Sequence, residues 1–152
     1  MSTTMTVAER EAFLADVHVG VLALNRTARS GQTPLRAPLR APLNVPVWYD
    51  YRPGGELWFI TEADSRKGRL LAVGTRISLC VQTETAPYQY VSVEGEVVAI
   101  EPAQVEAHLR PMAQRYLGIT QGDLYAAGST DGDSALVRVR PAQWLSVDYR
   151  KR

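Results

Sequence analysis

Sulfur chemistry has almost nothing to work with in this sequence. Cys80 is the only cysteine among 152 residues, so no internal disulfide can form, and its place in the apolar run "ISLCV" predicts a buried, inert thiol. Histidine is almost as scarce. His18 and His108 have no carboxylate or cysteine at ligand spacing, so no metal site is expected, and the acids Asp123, Asp131 and Asp133 are too scattered for a calcium loop. No G-x-S-x-G elbow supports a serine hydrolase, and no G-x-G-x-x-G supports a Rossmann sheet. The net charge is only +1, which gives no global field to draw in nucleic acid or an anionic membrane. No run approaches the ~20 apolar residues of a membrane span, and "MSTTMTVAEREAF" has neither the basic nor the apolar region of a secretion signal. The cytoplasm is the expected compartment, and a small molecule the expected ligand.

What is present suits one globular domain over residues 1–152, with 45% hydrophobic and 22% charged residues. Thr6 with Glu9 three residues on predicts a capped helix over 6–15, its apolar side marked by Val7, Ala8, Phe13 and Leu14. "VHVGVLAL" predicts a strand over 17–24, followed by a polar loop over 25–33. Residues 36–43 are a tandem repeat, "RAPLRAPL", with prolines at 34, 38, 42 and 46. A spacing of four puts every missing N–H on the same edge of an extended chain, so the segment cannot be a central strand throughout; a lengthened hairpin connection is expected. "NVPVWYDY" and "ELWFIT" form a hairpin about "RPGG", a short helix follows over 65–73 capped by Asp64 or Ser65, and "RISLCVQTE" and "YVSVEGEVVAI" are strands. Pro102 is expected to open a helix through about Leu117, residues 118–132 a loop, and "SALVRVR" and "QWLSVDY" two closing strands separated by Pro141. Six or seven mostly antiparallel strands with short flanking helices make an α+β, mainly β, barrel.

The chemistry concentrates in "FITEADSRKGRLL", residues 59–71. A strand ends at Thr61, an acidic loop follows, and Ser65, Arg66, Lys67 and Gly68 open a helix. Free N–H groups and the positive end of the dipole at a helix start favour an anion. Arg66 can grip two phosphate oxygens and Lys67 adds a point charge, while Ser65 and Thr61 supply hydroxyls. Between positions 64 and 76 four cations meet one acid, a local charge of +3 in a chain of +1. The competing interpretation is a solvated basic turn.

"FITEADSRKGRLLAVGTRISLCV" followed by "YVSVEGEVVAIEP" resembles the cofactor-binding core of the pyridoxamine 5′-phosphate oxidase-like split-barrel family, over roughly residues 17–101. That family shows a strand ending in Tyr-Thr, a loop, Ser-Arg-Lys on a short helix, and then a "QVRVEG"-like strand. The resemblance implies a homodimeric split β-barrel that binds FMN by its phosphate at the dimer interface. Arg66 and Lys67 would hold the phosphate with help from Ser65 and Thr61. The backbone of Ile60 would lie beside the isoalloxazine, and Pro46, Val47 and Trp48 on the strand from Val45 would run beneath it. Tyr90 stands where the family has a glutamine, which leaves its contact open.

The chain ends "RPAQWLSVDYRKR" and lacks the Arg-Leu-x-Asp-Arg signature with which the vitamin-oxidising members hold pyridoxal phosphate. That ending looks more like the actinobacterial flavin and deazaflavin reductase branch. The resemblance therefore implies hydride transfer between an FMN, or alternatively a deazaflavin coenzyme, and a small substrate; no side chain is singled out as catalytic. The helix over 104–117 and the loop after it are expected to shape the substrate side, and Trp144 is expected in the core or at an interface rather than on the cofactor. Two rival functions remain, a non-catalytic flavin-binding module and a dimeric interaction protein that has lost its ligand.

Overall fold

The computed structural model describes residues 2–26 and 40–152, so positions 36–39 of the RAPL repeat and most of the loop before it lie outside the described residues. Helix α1 (Val7–Ala15) leads into β1 (Gly20–Leu24), β2 (Leu43–Val47), β3 (Asp50–Tyr51) and β4 (Leu57–Thr61). A one-turn helix α2 (Arg66–Leu70) precedes β5 (Arg76–Gln82) and β6 (Gln89–Pro102). A π-helical turn (Val105–Leu109) then runs into α3 (Arg110–Leu117) and α4 (Ile119–Ala126), and β7 (Ala135–Asp148) closes the chain with a 3-10 turn at Tyr149–Lys151. The seven strands form one sheet in the order β2-β1-β5-β6-β7-β4-β3, every neighbouring pair antiparallel.

The order of that sheet dictates its shape. β2 and β3 stand at its opposite ends, yet only Trp48 and Tyr49 separate them in the chain. Consecutive Cα atoms are about 3.8 Å apart, so two residues span the gap only if the sheet is rolled until its edges meet. The roll turns one side chain in two inward: Leu22 and Leu24, Ile77, Leu79 and Val81, Val91, Val93 and Val97, Val137 and Val139, and Leu57 and Phe59 are all buried in one cluster. Phe13 and Leu14 of α1 join that cluster with Met5. The architecture is the mainly β split barrel expected, with seven strands.

At the link between β2 and β3 the main chain leaves the sheet, and its polar groups need other partners. α3 supplies them. The Tyr49 N–H donates to the Tyr116 hydroxyl (3.0 Å), which donates to the carbonyl of His18 (2.6 Å). Arg115 donates from Nε to the carbonyl of Tyr49 (3.1 Å) and from Nη2 to those of Ala15 and Asp16 (3.0 Å each), and pairs with Asp50 at 3.5 Å. The π-helical turn is seated on β4 by the edge contact of His108 with Trp58, ring centroids 5.8 Å apart.

Several local expectations are corrected. The capping box of α1 is present in both directions, but Val7 is exposed and the buried side is Phe13 and Leu14. The strand expected from Val17 begins only at Gly20. α2 is capped by Ser65 and stops at Leu70. Pro102 ends β6 rather than opening a helix, and the segment expected as loop contains α4. The hairpin about "RPGG" is formed by β3 and β4 alone, because the chain bends out of β2 at Trp48. The two closing strands are one: β7 runs through Pro141, opposite Gly95, where a bulge absorbs Ala142. Gly95 is required there, since a Cβ would lie 2.6 Å from the carbonyl oxygen of Arg140. Trp144 sits at the rim of the core with the Arg10 guanidinium 4.8 Å from its ring centre, away from α2.

Candidate functional site

α2 is short because its start is held tightly and nothing extends its end. The Ser65 hydroxyl accepts from the Gly68 N–H (3.1 Å) and donates to the carbonyl of Glu62 (2.7 Å), folding the acidic loop back over the first turn. Thr61, 4% exposed at the end of β4, has its hydroxyl 3.2 Å from Ser65 Oγ. Ser65 has one proton and spends it on Glu62, so Thr61 is the donor to Ser65. Both hydroxyls therefore shape the loop, and since Ser65 takes the Gly68 N–H, the donors left for an anion are the main-chain N–H groups and the side chains of Arg66 and Lys67. None of the ion pairs among the described residues includes either cation.

A cleft of about 490 Å³ opens beside this corner, within the roughly 300–1,000 Å³ usual for small-molecule sites. It brings together seven of the nine residues singled out from the sequence: Pro46, Val47, Trp48, Ile60, Thr61, Ser65 and Lys67. Arg66 stands exposed beside it and is not one of its walls. Tyr90 is not a wall either; it pairs with Gln82 and Val147 at the start of β6. The barrel's closing link supplies one side of the cleft, since Trp48 stacks on Tyr116 at 5.0 Å with the planes 6° apart and meets Tyr125 at 5.3 Å.

The opposite side was not legible residue by residue. Leu109, Met112, Tyr125 and Ser134 line it, and Glu62 adds a carboxylate. The helix over 104–117 was expected there, and Leu109 and Met112 come from it. Tyr125 carries no signal in the sequence, because residues 118–132 read as loop where the structure has α4. His18 lies outside the cleft walls, its Nε2 donating to the Phe13 carbonyl (3.0 Å), and burial pushes its pKa down. Cys80 is half-buried on the outer side of β5, and burial pushes its thiol up. Among the described residues no cluster of His, Cys, Asp and Glu is arranged to hold a metal ion, and no helix is long and apolar enough to cross a membrane.

A rolled antiparallel sheet whose cleft lies between the barrel seam, a cationic one-turn helix and a helical cover defines a split barrel with a cleft of small-molecule size. By sequence the chain belongs to the pyridoxamine 5′-phosphate oxidase family, whose model matches residues 6–148. Solved structures share the fold. An F420 reductase superposes with a TM-score of 0.66 at 24% identity, covering 89% of this chain and 94% of its own. A conserved hypothetical protein from Mycobacterium tuberculosis gives 0.67 at 24%, covering 99% and 90%. An FAD-binding protein from Mesorhizobium loti gives 0.58 at 20%, covering 94% of each. No curated protein matches by sequence.

Proposed function

We propose that this chain is a flavin-type oxidoreductase that works as a homodimer, holding FMN by its phosphate and exchanging hydride with a small substrate. The observation that carries this reading is the corner at α2, where Lys67 enters the cleft and Arg66 flanks it, neither neutralised by an acid of the chain's described part. A cation at a helix start opposes the macrodipole, and a bound phosphate relieves both costs. The donor set suits that group: the Arg66 and Lys67 side chains and main-chain N–H groups for the phosphate, main chain at Ile60 and at Pro46, Val47 and Trp48 for a planar ring.

The cofactor would supply the hydride chemistry; the protein's part is to fix it and keep water out. Lys67 and Arg66 anchor the tail, Ser65 and Thr61 hold the loop that aims them, and Trp48, clamped by Tyr116, bounds the ring. A deazaflavin coenzyme is the second reading, favoured by the likeness to a structure named F420 reductase. Conversion of pyridoxamine phosphate is disfavoured by the missing C-terminal signature; the one arginine near that end with a clear partner, Arg150, is bound bidentately to Asp148.

The dimer is supported by the outer face of the sheet. Pro46, Val21, Cys80, Ser92 and Leu145 are register partners in one row across β2, β1, β5, β6 and β7, without a charge among them. Val21 and Leu145 are 44% and 59% exposed. Pro46 belongs both to this row and to the cleft, so a second copy docked on the row would border the cofactor.

The deciding experiment is to purify the protein and titrate it with FMN and with the deazaflavin coenzyme, following the visible spectrum. Micromolar or tighter binding of one of them is expected, with Lys67→Ala weakening it at least tenfold. Binding of neither cofactor, or unchanged affinity in the variant, would contradict the assignment.

A further inference from the structure

The cleft has two ends, and only one carries positive charge. Its charged walls among the described residues are Lys67 and Glu62, both at the α2 end. The far end is built from Leu109, Met112 and Tyr125 facing Trp48. A smaller recess of about 60 Å³ continues from it, sharing Ile60, Leu109 and Ser134. The one charged wall of that recess is again an acid, Asp133, whose Oδ2 accepts from the Thr130 N–H at 3.1 Å.

The nearest arginine cannot reverse this balance. Arg110, next to Leu109, has Nε and Nη2 on Glu106 (3.0 Å each) and Nη1 on Asp123 (2.8 Å). Its guanidinium is spent on tying the π-helical turn to α4. Arg138 on β7 is likewise engaged, with Nε 3.0 Å from Glu101.

From this we infer that the substrate end selects flat ring compounds that are neutral or cationic and turns away those bearing a phosphate, sulfonate or carboxylate, with Tyr125 as a specificity-determining residue. This rests on the cofactor phosphate occupying the Lys67 end, as proposed above. An anionic group carried past Trp48 would lose its water, meet Asp133 in the recess, and find there no free cation among the described residues. A neutral aromatic ring loses little on entering and gains contact with Tyr125, which is 55% exposed and lies beside Trp48. The polar recess leaves room for one small hydrogen-bonding substituent.

Two isosteric, redox-inert probes separate the possibilities: naphthalene-2-sulfonamide, neutral, and naphthalene-2-sulfonate, anionic. Each is titrated by equilibrium dialysis into protein saturated with the cofactor it takes up, saturation being read from the visible spectrum. The sulfonamide is expected to bind at least tenfold more tightly. Tyr125→Arg, at an exposed helical position that tolerates a long side chain, should reduce or reverse that preference. Cofactor uptake with equal binding of the two probes, or a preference untouched by Tyr125→Arg, overturns this inference and leaves the cofactor assignment standing. Failure to take up any cofactor overturns both.

Discussion

At the scale of single residues, the anion corner depends on an atom that is absent. A Cβ on Gly68 would collide with the carbonyl oxygen of Glu62 and lie 2.8 Å from that of Ala63, because the acidic loop is folded down onto the helix. Gly68→Ala must push the loop away and break the Ser65–Glu62 hydrogen bond. A stability loss of about 1–3 kcal/mol and at least tenfold weaker cofactor binding are expected, read by denaturant melts and spectral titration. "SRKG" was therefore legible as a cationic helix start, but the reason for its glycine was not, since that lies in a contact with residues 62 and 63. His18 gives a second prediction. Burial lowers its pKa against the Phe13 carbonyl and the Asp16 charge, which act the other way, so the unfolded chain takes up its proton more readily. Stability is full above the ordinary value of 6.5 and falls as pH drops below it toward the folded value. His18→Asn should flatten that part of a melting-temperature profile between pH 5 and 8.

At the scale of elements, α3 is a fastener. Arg115 and Tyr116 take up the main-chain groups of Tyr49, His18, Ala15 and Asp16, joining α3 to the end of α1 and to the barrel seam. The Arg115 side chain is only 17% exposed, and its loss takes a charged donor from three carbonyls and from the Asp50 carboxylate. Arg115→Ala should cost about 2–4 kcal/mol, read by chemical denaturation, and should loosen Trp48 enough to weaken ligand binding. None of this is legible in the sequence, because these main-chain partners lie 66 to 100 positions away and obey no local period. The misread elements have local causes too. α4 carries two threonine-or-glycine positions among its first four residues and follows Gly118, so its propensity is poor, and it is held by packing and by Asp123 accepting from Arg110 and Gln114. Pro141 would end an ordinary strand; it survives because the bulge at Ala142 removes the need for its N–H.

At the scale of the whole molecule, the period-two alternation of β5 and β6 makes the antiparallel barrel readable. The matching strand count is a cancellation: "NVPVWYDY" holds two strands, β2 and β3, and the two closing strands are one, β7. The order of strands was not readable, since antiparallel neighbours such as β1 with β5 are set by which edges the roll brings together. The uncharged row from Pro46 to Leu145 belongs to this scale, because no single strand displays it. An arginine at Leu145, 59% exposed, would have to be buried, unpaired, in any dimer that uses the face. Leu145→Arg is expected to convert a dimer to monomers in size-exclusion chromatography with light scattering, while the isolated barrel keeps its circular dichroism; a variant that stays dimeric places the contact elsewhere.

Trp48 and Tyr49 are the bridge that joins the ends of the sheet, and Trp48 is also a wall against which a ligand would rest. Whatever occupies that space acts as a clasp on the cylinder, gripping the one place where it would first spring open. Occupancy and the integrity of the entire fold are thereby tied to a single hinge of two aromatic residues, so a tighter-binding guest yields a harder protein to melt.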